Sequence, residues 1–515
     1  MLMTGEAYRE SLRAMSPRVF VNGAAIESVA DEPLLEPGVN AISLTYDFAL
    51  ETRYQPLMVA TEESTGHEVN RFNHINRSTR DLLNKLEAVR LVCQYTGCAQ
   101  RYLTQDALNA IFQATHRIDA DKGTNYHERL VDYMHKVQDE DLALGVAMTD
   151  AKGDRSKRPH EQSNPDTFVH IKQRRPEGIV VSGCKAIITG APYMHGLLVM
   201  PSRNMTEADR DFAVCCVVPI DVEGLTIVAR PAGRPGEKAA KFSGKYGQAL
   251  GVAIFEDVFV PWEHVFLAGE WEHSQFLTQS YATHHRHTCI GARAGFGDLL
   301  IGAGVLMCQA NGLDVEKTSH LRERMVELIK IVEGIYATGV AASVYAGEDP
   351  SGAWEPERVF SNVGKLMLAT QIYDMHRIAH DVSGGLIVSL PGPEEDHNPA
   401  TAGNLADVLR GHDDVPYQHR AEVARFLEDL TASSTAGWYS TISMHGGGSP
   451  AAMGLEIFRS YPVHDKVELV EKLLDRGVMP DESGNPAPTK QPGRCCPSGC
   501  EIPDEVPEAP KRARS

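Results

Sequence analysis

The chain has 515 residues, of which 42% are hydrophobic and 23% charged, as expected for a globular protein with more than one domain. Its 69 acidic residues outnumber 50 basic ones, which argues against nucleic acid as a main partner. The ten cysteines show no repeated CxxC spacing, so reduced thiols are expected. Charges interrupt the N-terminal segment and no later run looks long enough to span a membrane, so we expect a cytoplasmic protein.

Apolar spacing divides the chain into four parts, namely a helical region over 1–140, a β-rich region over 141–270, a helical region over 271–478 and a tail over 479–515. Besides a first helix capped by Thr4, helices are predicted over 76–97, 104–117, 126–140, 281–311, 317–346, 355–385 and 418–437. Strands are predicted over 167–171, 178–182, 214–220, 225–229 and 251–260. The tail has no periodic apolar residues, which is typical of a flexible segment.

The order of these parts predicts an α+β fold with an N-terminal helical domain, a middle β-barrel or sandwich and a C-terminal helical bundle. Acyl-CoA dehydrogenase-like flavoproteins have this order. Order alone does not determine chemistry, because one fold supports many reactions.

A polar segment over 147–156 follows a predicted strand. Its Thr149 can donate a hydrogen bond, and Gly153 permits a close approach of the backbone to a ligand. Lys152 and Arg155 can meet a phosphate or an anionic flavin. The alternative is a solvated turn with a surface ion pair, since short polar motifs often occur without function.

Two glycine-containing segments are further candidates. Residues 183–192 form a strand that ends near Thr189, and the alternative is a plain turn. Residues 443–450 suit a loop that opens a helix, with Ser449 as N-cap and Pro450 at the first helical position, an arrangement that can bind anions. The alternative is a simple connection between helices.

Residues 283–293 are rich in histidine near the start of the first bundle helix. His285, Cys289 and Ala292 share one helix face at spacings of four and seven. A histidine and a cysteine could bind a metal, but two ligands do not make a site. A polar cluster lining a pocket is the alternative that we favour.

Together these segments resemble the 4-hydroxyphenylacetate 3-hydroxylase superfamily, and most closely its 4-hydroxybutyryl-CoA dehydratase branch. The resemblance runs from the N-terminus to about residue 474. Besides the segments above, it includes residues 123–127, 205–209 and 258–261.

The resemblance implies a homotetramer that holds FAD between the middle domain and the bundle. The positions that match the family's flavin contacts are Met148, Thr149, Lys152, Asp154, Arg155, Thr189, Thr441, Ile442, Ser443 and Met444.

The dehydratase branch also holds a [4Fe–4S] cluster through three cysteines and a histidine, and this sequence departs from that pattern. Cys98 and His285 match two ligands, whereas Tyr102 and Ala292 replace the other two cysteines. Because thiolates dominate iron–sulfur ligation, we expect no intact cluster and no metal, with Cys98, His285 and Cys289 as weak candidates. Cys289 also matches a tyrosine thought to act as an acid or base.

Other reactive groups of the two branches are also replaced. Gly251 and Ile442 stand where the dehydratases have their presumed carboxylate bases. The hydroxylases bind a phenol through side chains at three positions. In this sequence those positions are occupied by Leu103, Ala107 and Val146.

The leading hypothesis is a two-component monooxygenase, in which FAD reduced by a separate reductase reacts with O₂ and hydroxylates an aromatic or other small substrate. His285, Gln100, Arg293 and Cys289 would form its catalytic site. The alternative is a redox-neutral dehydratase or isomerase of an acyl-CoA with an altered or absent cluster. A flavin-free scaffold is a third possibility.

Overall fold

The computed structural model describes residues 2–476 of the chain. The described residues up to Gly454 form one compact unit, and those from Leu455 onward form a second. The tail predicted over 479–515, with its three cysteines, lies outside the described residues.

Fifteen α-helices lie in the described residues. In chain order they are α1 Gly5–Arg13, α2 Glu36–Leu50, α3 Gln55–Met58, α4 Thr79–Thr96, α5 Tyr102–Lys122, α6 Tyr126–Asp139, α7 Ser274–Ala310, α8 Ser319–Val344, α9 Arg358–Ser383, α10 Leu386–Ser389, α11 Ala402–Val408, α12 Tyr417–Thr431, α13 Ser434–His445, α14 Pro450–Ser460 and α15 Val463–Arg476.

Fourteen strands accompany them in the same part of the chain. They are β1 Arg18–Val21, β2 Ala24–Ala25, β3 Val59–Thr61, β4 Glu68–Asn70, β5 Leu144–Ala147, β6 His170–Arg175, β7 Gly178–Thr189, β8 Gly196–Val199, β9 Val214–Pro219, β10 Leu225–Ala229, β11 Leu250–Pro261, β12 Val265–Ala268, β13 Gly347–Glu348 and β14 Trp354–Glu355.

The middle of the chain forms two sheets. Six strands pair in the order β2-β1-β10-β11-β7-β6, and four pair in the order β12-β9-β8-β5. Strand β1 joins the first sheet by parallel pairing with β10, so a strand from the helical N-terminal region completes the middle sheet. The helical, β and helical-bundle order confirms the predicted α+β, acyl-CoA dehydrogenase-like fold class.

The long helices agree with the apolar periodicity, and Thr4 caps α1 by accepting a hydrogen bond from the Ala7 amide at 2.9 Å. The prediction of one continuous helix over 418–437 is wrong, because this segment belongs to two helices, α12 and α13. The Ser433 side chain starts the second helix by accepting from the Ala436 amide at 3.1 Å. Strand β5 lies where a strand is predicted directly before the polar segment 147–156. Strand β8 was not predicted, since all four of its residues are buried and no alternation marks them.

Glycines let α7 pack closely against its neighbours. A β-carbon on Gly291 would lie 2.7 Å from the Leu86 carbonyl oxygen of α4, and one on Gly295 would lie 2.4 Å from that of Arg90. On the facing helix α9, a β-carbon on Gly364 would lie 1.9 Å from Thr338 Oγ1. Side chains at these positions would therefore push the helices apart.

Helix α7 also corrects the expectation that no segment is long enough to cross a membrane. The stretch Trp271–Ala310 has a window with mean hydropathy 1.4 and meets that criterion by length and composition. Since 61% of this window is buried within the protein, its apolar character is accounted for by the core.

Gly295→Ala should lower the free energy of unfolding by about 1–3 kcal/mol, because the new methyl group meets backbone of α4. Gly302→Ala, on the same helix with no atom within 4 Å of its β-carbon, should instead raise it by about 0.5–1 kcal/mol. Urea unfolding followed by circular dichroism measures both. Equal effects of the two substitutions would contradict the role of the helix crossing.

Candidate active site

Four side chains from three helices form a buried hydrogen-bonded chain. Asp106 of α5 accepts from Lys85 Nζ of α4 at 2.5 Å and from Thr288 Oγ1 of α7 at 2.7 Å. Its other oxygen accepts from His285 Nδ1 at 3.3 Å, and His285 Nε2 lies 3.6 Å from Cys289 Sγ one helical turn away. Hereafter Lys85, Asp106, His285 and Cys289 are called the relay.

Charges within the relay shift its pKa values in one consistent sense. Burial raises the pKa of the Cys289 thiol, but His285 outweighs burial and brings it to about 7. Burial lowers the pKa of His285, whereas Cys289 and Asp106 raise it to about 9. Burial likewise opposes ionisation of Asp106, but Lys85 and His285 hold its pKa at about 2. The relay therefore favours a Cys289 thiolate beside a His285 imidazolium.

Arg293 lies on the next turn of α7 and reaches helix α13. Its Nε donates to Ser443 Oγ at 2.6 Å and its Nη1 to the Tyr439 hydroxyl at 2.6 Å. Its Nη2 has no hydrogen-bond partner within residues 2–476. Lys365 of α9 completes this side by donating to the Ser443 carbonyl at 2.6 Å, and burial lowers its pKa to about 8.

The positions that match the cluster ligands of the dehydratase branch differ from them in chemistry. Cys98 Sγ lies 3.0 Å from the Tyr102 hydroxyl, and burial raises the pKa of both groups. Ala292 is buried on α7 and offers no ligand atom. Among residues 2–476, no three His, Cys, Asp or Glu side chains are grouped so that they could hold a metal ion.

Gln100 adopts a left-handed backbone conformation with φ of +63° and uses its amide to join two segments. Its Oε1 accepts from the Tyr193 hydroxyl at 2.8 Å, and its Nε2 donates to the Gly247 carbonyl at 2.9 Å. Both ends are thus engaged with protein, so the predicted catalytic use of Gln100 would require these bonds to be exchanged. The three positions that replace the phenol-reading residues, Leu103, Ala107 and Val146, are buried and apolar.

The predicted flavin positions of the middle region fit a polar, anionic ligand. Thr149 and Thr189 are half-buried beside the ends of β5 and β7, which contact each other. Neither hydroxyl has a hydrogen-bond partner within the described residues. Lys152 and Arg155 are exposed in the loop after β5, and neither forms an ion pair there. Two hydroxyls without hydrogen-bond partners and two cations without ion pairs among the described residues suit a phosphorylated cofactor.

Other predicted flavin contacts are already engaged within the protein. Asp154 accepts from the Ser156 amide and hydroxyl, and Thr441 donates to the Gly437 carbonyl at 2.9 Å. The Ser443 hydroxyl serves Arg293 as described. Met148, Ile442 and Met444 are half-buried and could offer apolar contact. Residues 441–444 form the last turns of α13, so the predicted loop begins only after them.

The loop after α13 lies against the relay. A β-carbon on Gly447 would lie 3.2 Å from the His285 ring, and its φ of +75° also favours glycine. The Gly447 carbonyl accepts from Arg286 Nε at 2.9 Å. Ser449 and Pro450 start α14 as predicted, with the Ala452 amide donating to Ser449 Oγ at 3.2 Å.

Sequence reasoning missed four residues of this site, namely Lys85, Asp106, Lys365 and Tyr439. A signal existed for the charged ones, because each stands within an apolar helical pattern where a charge is buried only when it is paired. Lys85, for example, is flanked on α4 by Leu82, Leu86 and Val89, and all four are buried.

Comparison with known proteins agrees with this architecture. Profiles of the N-terminal and C-terminal parts of 4-hydroxyphenylacetate 3-hydroxylase match residues 4–267 and 274–475. The chain belongs to the 4-hydroxyphenylacetate 3-hydroxylase family.

Individual members of the family differ in activity. The chain is 34% identical to 4-hydroxybutyryl-CoA dehydratase/vinylacetyl-CoA-Δ-isomerase of Clostridium aminobutyricum, covering 92% of this chain and 99% of that protein. The structure of an oxygen-tolerant archaeal 4-hydroxybutyryl-CoA dehydratase from N. maritimus superposes with a TM-score of 0.89 at 35% identity, covering 93% and 96%. The oxygenase component of a 4-hydroxyphenylacetate 3-monooxygenase, solved with FAD and 4-hydroxyphenylacetate, shares the fold with a TM-score of 0.82 at 21% identity, covering 92% and 99%.

The thiolate absorbance of Cys289 should titrate with a midpoint near pH 7, being lost as pH falls through that value. His285→Gln should move the midpoint upward, because the cation that stabilises the thiolate is gone. The ultraviolet difference spectrum between the wild type and Cys289→Ala isolates this thiol. Cys308→Ala, on the same helix, provides the control, since burial raises the pKa of Cys308. A midpoint above pH 9 in the wild type would contradict the relay.

Proposed function

We propose that the chain is an FAD-dependent enzyme that transfers a proton within the acyl group of an acyl-CoA, with no net oxidation or reduction. The relay carries this proposal. A thiol with a pKa near 7, held by a charged imidazole in a buried site, is a general base at neutral pH. The similarity to an enzyme that also acts as a vinylacetyl-CoA Δ-isomerase supports the choice of substrate.

Arg293 suits the second requirement of such a reaction. Removing a proton next to a thioester places negative charge on the carbonyl oxygen, which must be stabilised. Cys289 and Arg293 are four residues apart on α7 and therefore lie on one face of the helix. The open Nη2 of Arg293 can donate to that oxygen while Cys289 faces the adjacent carbon.

The proposed reaction is a 1,3-proton shift. The Cys289 thiolate removes a proton from C2 of a β,γ-unsaturated acyl-CoA, and the electron pair enters the C2–C3 bond as the C3–C4 double bond opens. The resulting thiol returns a proton to C4 and becomes a thiolate again. No external oxidant or reductant is consumed, so atoms and electrons balance within substrate and relay.

FAD would be held by Thr149, Lys152, Arg155 and Thr189, and when bound it supplies a ring that can accept and donate electrons. The relay positions the base independently of that ring. Asp106 fixes the orientation of His285, and Lys85 and Thr288 fix Asp106, so the imidazole is held toward Cys289.

Isomerisation fits the site better than dehydration does. Loss of a hydroxyl group needs a strong acid or a metal ion at that oxygen. Of the four cluster positions in the dehydratase branch, only Cys98 and His285 keep a ligand residue, and His285 is engaged with Asp106 and Cys289. Stoichiometric iron and sulfide in protein purified without oxygen would reverse this preference.

Vinylacetyl-CoA incubated with FAD-loaded protein in deuterium oxide should become crotonyl-CoA, with deuterium at C4 in those turnovers in which the Cys289 thiol exchanges its proton with solvent before returning it. Cys289→Ala should lower kcat by about 10²–10⁴-fold, since that is the usual contribution of a general base. The wild-type rate should fall as pH drops through about 7, because the thiolate is then protonated. Nuclear magnetic resonance measures both product and label.

Cys308→Ala serves as the matched control and should keep the wild-type rate, because Cys308 is buried on α7 far along the helix from the relay. Wild-type activity in Cys289→Ala at unchanged FAD content would rule out Cys289 as the base.

The second candidate is the two-component monooxygenase. The replacement of two cluster cysteines by Tyr102 and Ala292 favours it, as does the apolar surface of Leu103, Ala107 and Val146. The Cys289 thiolate weighs against it, because low-pKa thiols are readily oxidised where activated oxygen is formed. A homotetramer, a cytoplasmic location and, for this candidate, a separate reductase remain predictions.

Reaction of the photoreduced protein with isotopically labelled O₂ tests this second candidate. A monooxygenase should insert one labelled oxygen atom into a phenolic substrate, with product amounts that follow the flavin reduced. If the protein catalyses the isomerisation and no phenol that is supplied gives a labelled product, only the first candidate function remains.

A further inference from the structure

A cleft with an aromatic lining lies next to the relay and is not used by the chemistry described above. It lies between the loop that joins β10 to β11, the end of α4, and helices α12 and α13, and its empty space of about 460 Å³ includes the solvent at its mouth. Its walls include Phe242, Tyr246, Phe296 and Trp438. Cys98 and Tyr439 also line it, and the Tyr439 hydroxyl accepts from Arg293, so the cleft adjoins the catalytic side chains.

Three polar groups in this cleft have buried atoms without partners. Arg230 Nη1, Gln248 Oε1 and Thr435 Oγ1 make no hydrogen bond within the described residues. Gln248 is only 7% exposed, and the Arg230 guanidinium lies 3.8 Å from the centre of the Trp438 ring. Leaving such groups unsatisfied is unfavourable, which indicates that they face a ligand with matching groups.

The hydrogen-bonding capacity of these three groups limits the chemical class of the ligand. Arg230 and Thr435 can donate, whereas Gln248 Oε1 can only accept, so the ligand must both accept and donate hydrogen bonds. A carboxylate or phosphate cannot donate to Gln248 and would also meet Asp429, which lines the cleft. A neutral secondary amide satisfies all of them, with its carbonyl toward Arg230 and its N–H toward Gln248.

Neighbouring contacts fix the cleft in this form. Asp429 is held by the Ser243 hydroxyl at 2.5 Å, by the Phe242 amide at 2.9 Å and by Arg234 at 3.1 Å. These bonds attach the β10–β11 loop to α12, so the cleft does not depend on the ligand for its shape.

We propose that this cleft binds the amide-bearing pantetheine arm of the acyl thioester and so directs the thioester toward Arg293 and Cys289. Arg230 donates to an amide carbonyl, Gln248 accepts from an amide N–H, and the aromatic walls pack against the arm. This inference rests on the proposed acyl-thioester substrate. The same arm occurs in acyl-CoA and in simpler pantetheine thioesters, which differ by the nucleotide.

A series of thioester analogues that lose amides one at a time tests the proposal. S-alkyl-CoA and S-alkyl-pantetheine contain two amides, S-alkyl-N-acetylcysteamine contains one, and a dialkyl thioether contains none. Binding to the FAD-loaded full chain can be followed by tryptophan fluorescence, because Trp438 is one of four tryptophans and lies in the cleft. Trp438→Phe identifies the part of the signal that comes from the cleft.

Wild-type affinity should fall about tenfold for each amide removed, as expected for the loss of one or two buried hydrogen bonds. Arg230→Met should weaken pantetheine binding by about 10–100-fold, and Gln248→Leu by about tenfold, while both variants bind the amide-free thioether as the wild type does. Lys241→Met, an exposed cation on the same loop, should bind every analogue normally. A difference between the CoA and pantetheine compounds measures what the nucleotide adds.

Affinity that does not depend on the number of amides would overturn the proposal. So would an Arg230→Met protein that loses FAD but keeps its affinity for the analogues, because the cleft would then belong to the cofactor. These measurements do not require turnover. Normal binding without isomerisation would reject the proposed function alone, whereas isomerisation with no preference for amides would reject the cleft assignment alone.

Discussion

The site depends above all on the buried ion pair between Lys85 and Asp106. Both side chains are fully buried, and such a pair is tolerable only when its remaining hydrogen-bonding capacity is filled. Thr288 and His285 fill that of Asp106, so one carboxylate connects α4, α5 and α7. Removing either charge would leave the other uncompensated in the core, at a cost of about 3–5 kcal/mol. The interaction that joins the helices is thus the same one that orients the imidazole.

Helix α7 combines close packing with chemistry on different faces. Its glycines at 291 and 295 let the backbone of α4 approach, which brings Lys85 within reach of Asp106. Another face presents His285, Cys289 and Arg293 at intervals of four residues. A larger side chain on the first face would therefore disturb the second one without touching any reacting group. The precision of the site follows from its placement on long, rigid helices rather than on loops.

The sequence predicted the helical–β–helical order, the long helices and the shared face of His285 and Cys289, because all of these follow from local periodicity. It did not predict β8, which is too short and too buried to alternate, nor the entry of β1 into the middle sheet, which is a long-range pairing. The sequence did not predict the hydrogen-bond partners of His285 either. Asp106 lies 179 residues from His285, and only the tertiary fold shows that the two meet. The contacts of Gln100, expected to orient substrate, were not predicted either, since both ends of its amide bond Tyr193 and Gly247.

A cysteine at position 289 changes what a family site of this kind can do. A tyrosine there, as in the dehydratase branch that the sequence resembles, is mostly protonated at neutral pH, since its ordinary pKa is about 10. The Cys289 thiol next to a charged His285 has a pKa near 7 and is already half ionised there. With Ala292 and Tyr102 in place of two cluster cysteines, the metal-assisted departure of a hydroxyl group loses its ligands. Proton transfer in turn gains a weaker base that is, however, largely available in its ionised form at neutral pH. These substitutions support the proposed isomerisation rather than elimination. The thiolate that makes this possible also makes the site sensitive to oxidation, which sets it against chemistry with O₂ at the same place.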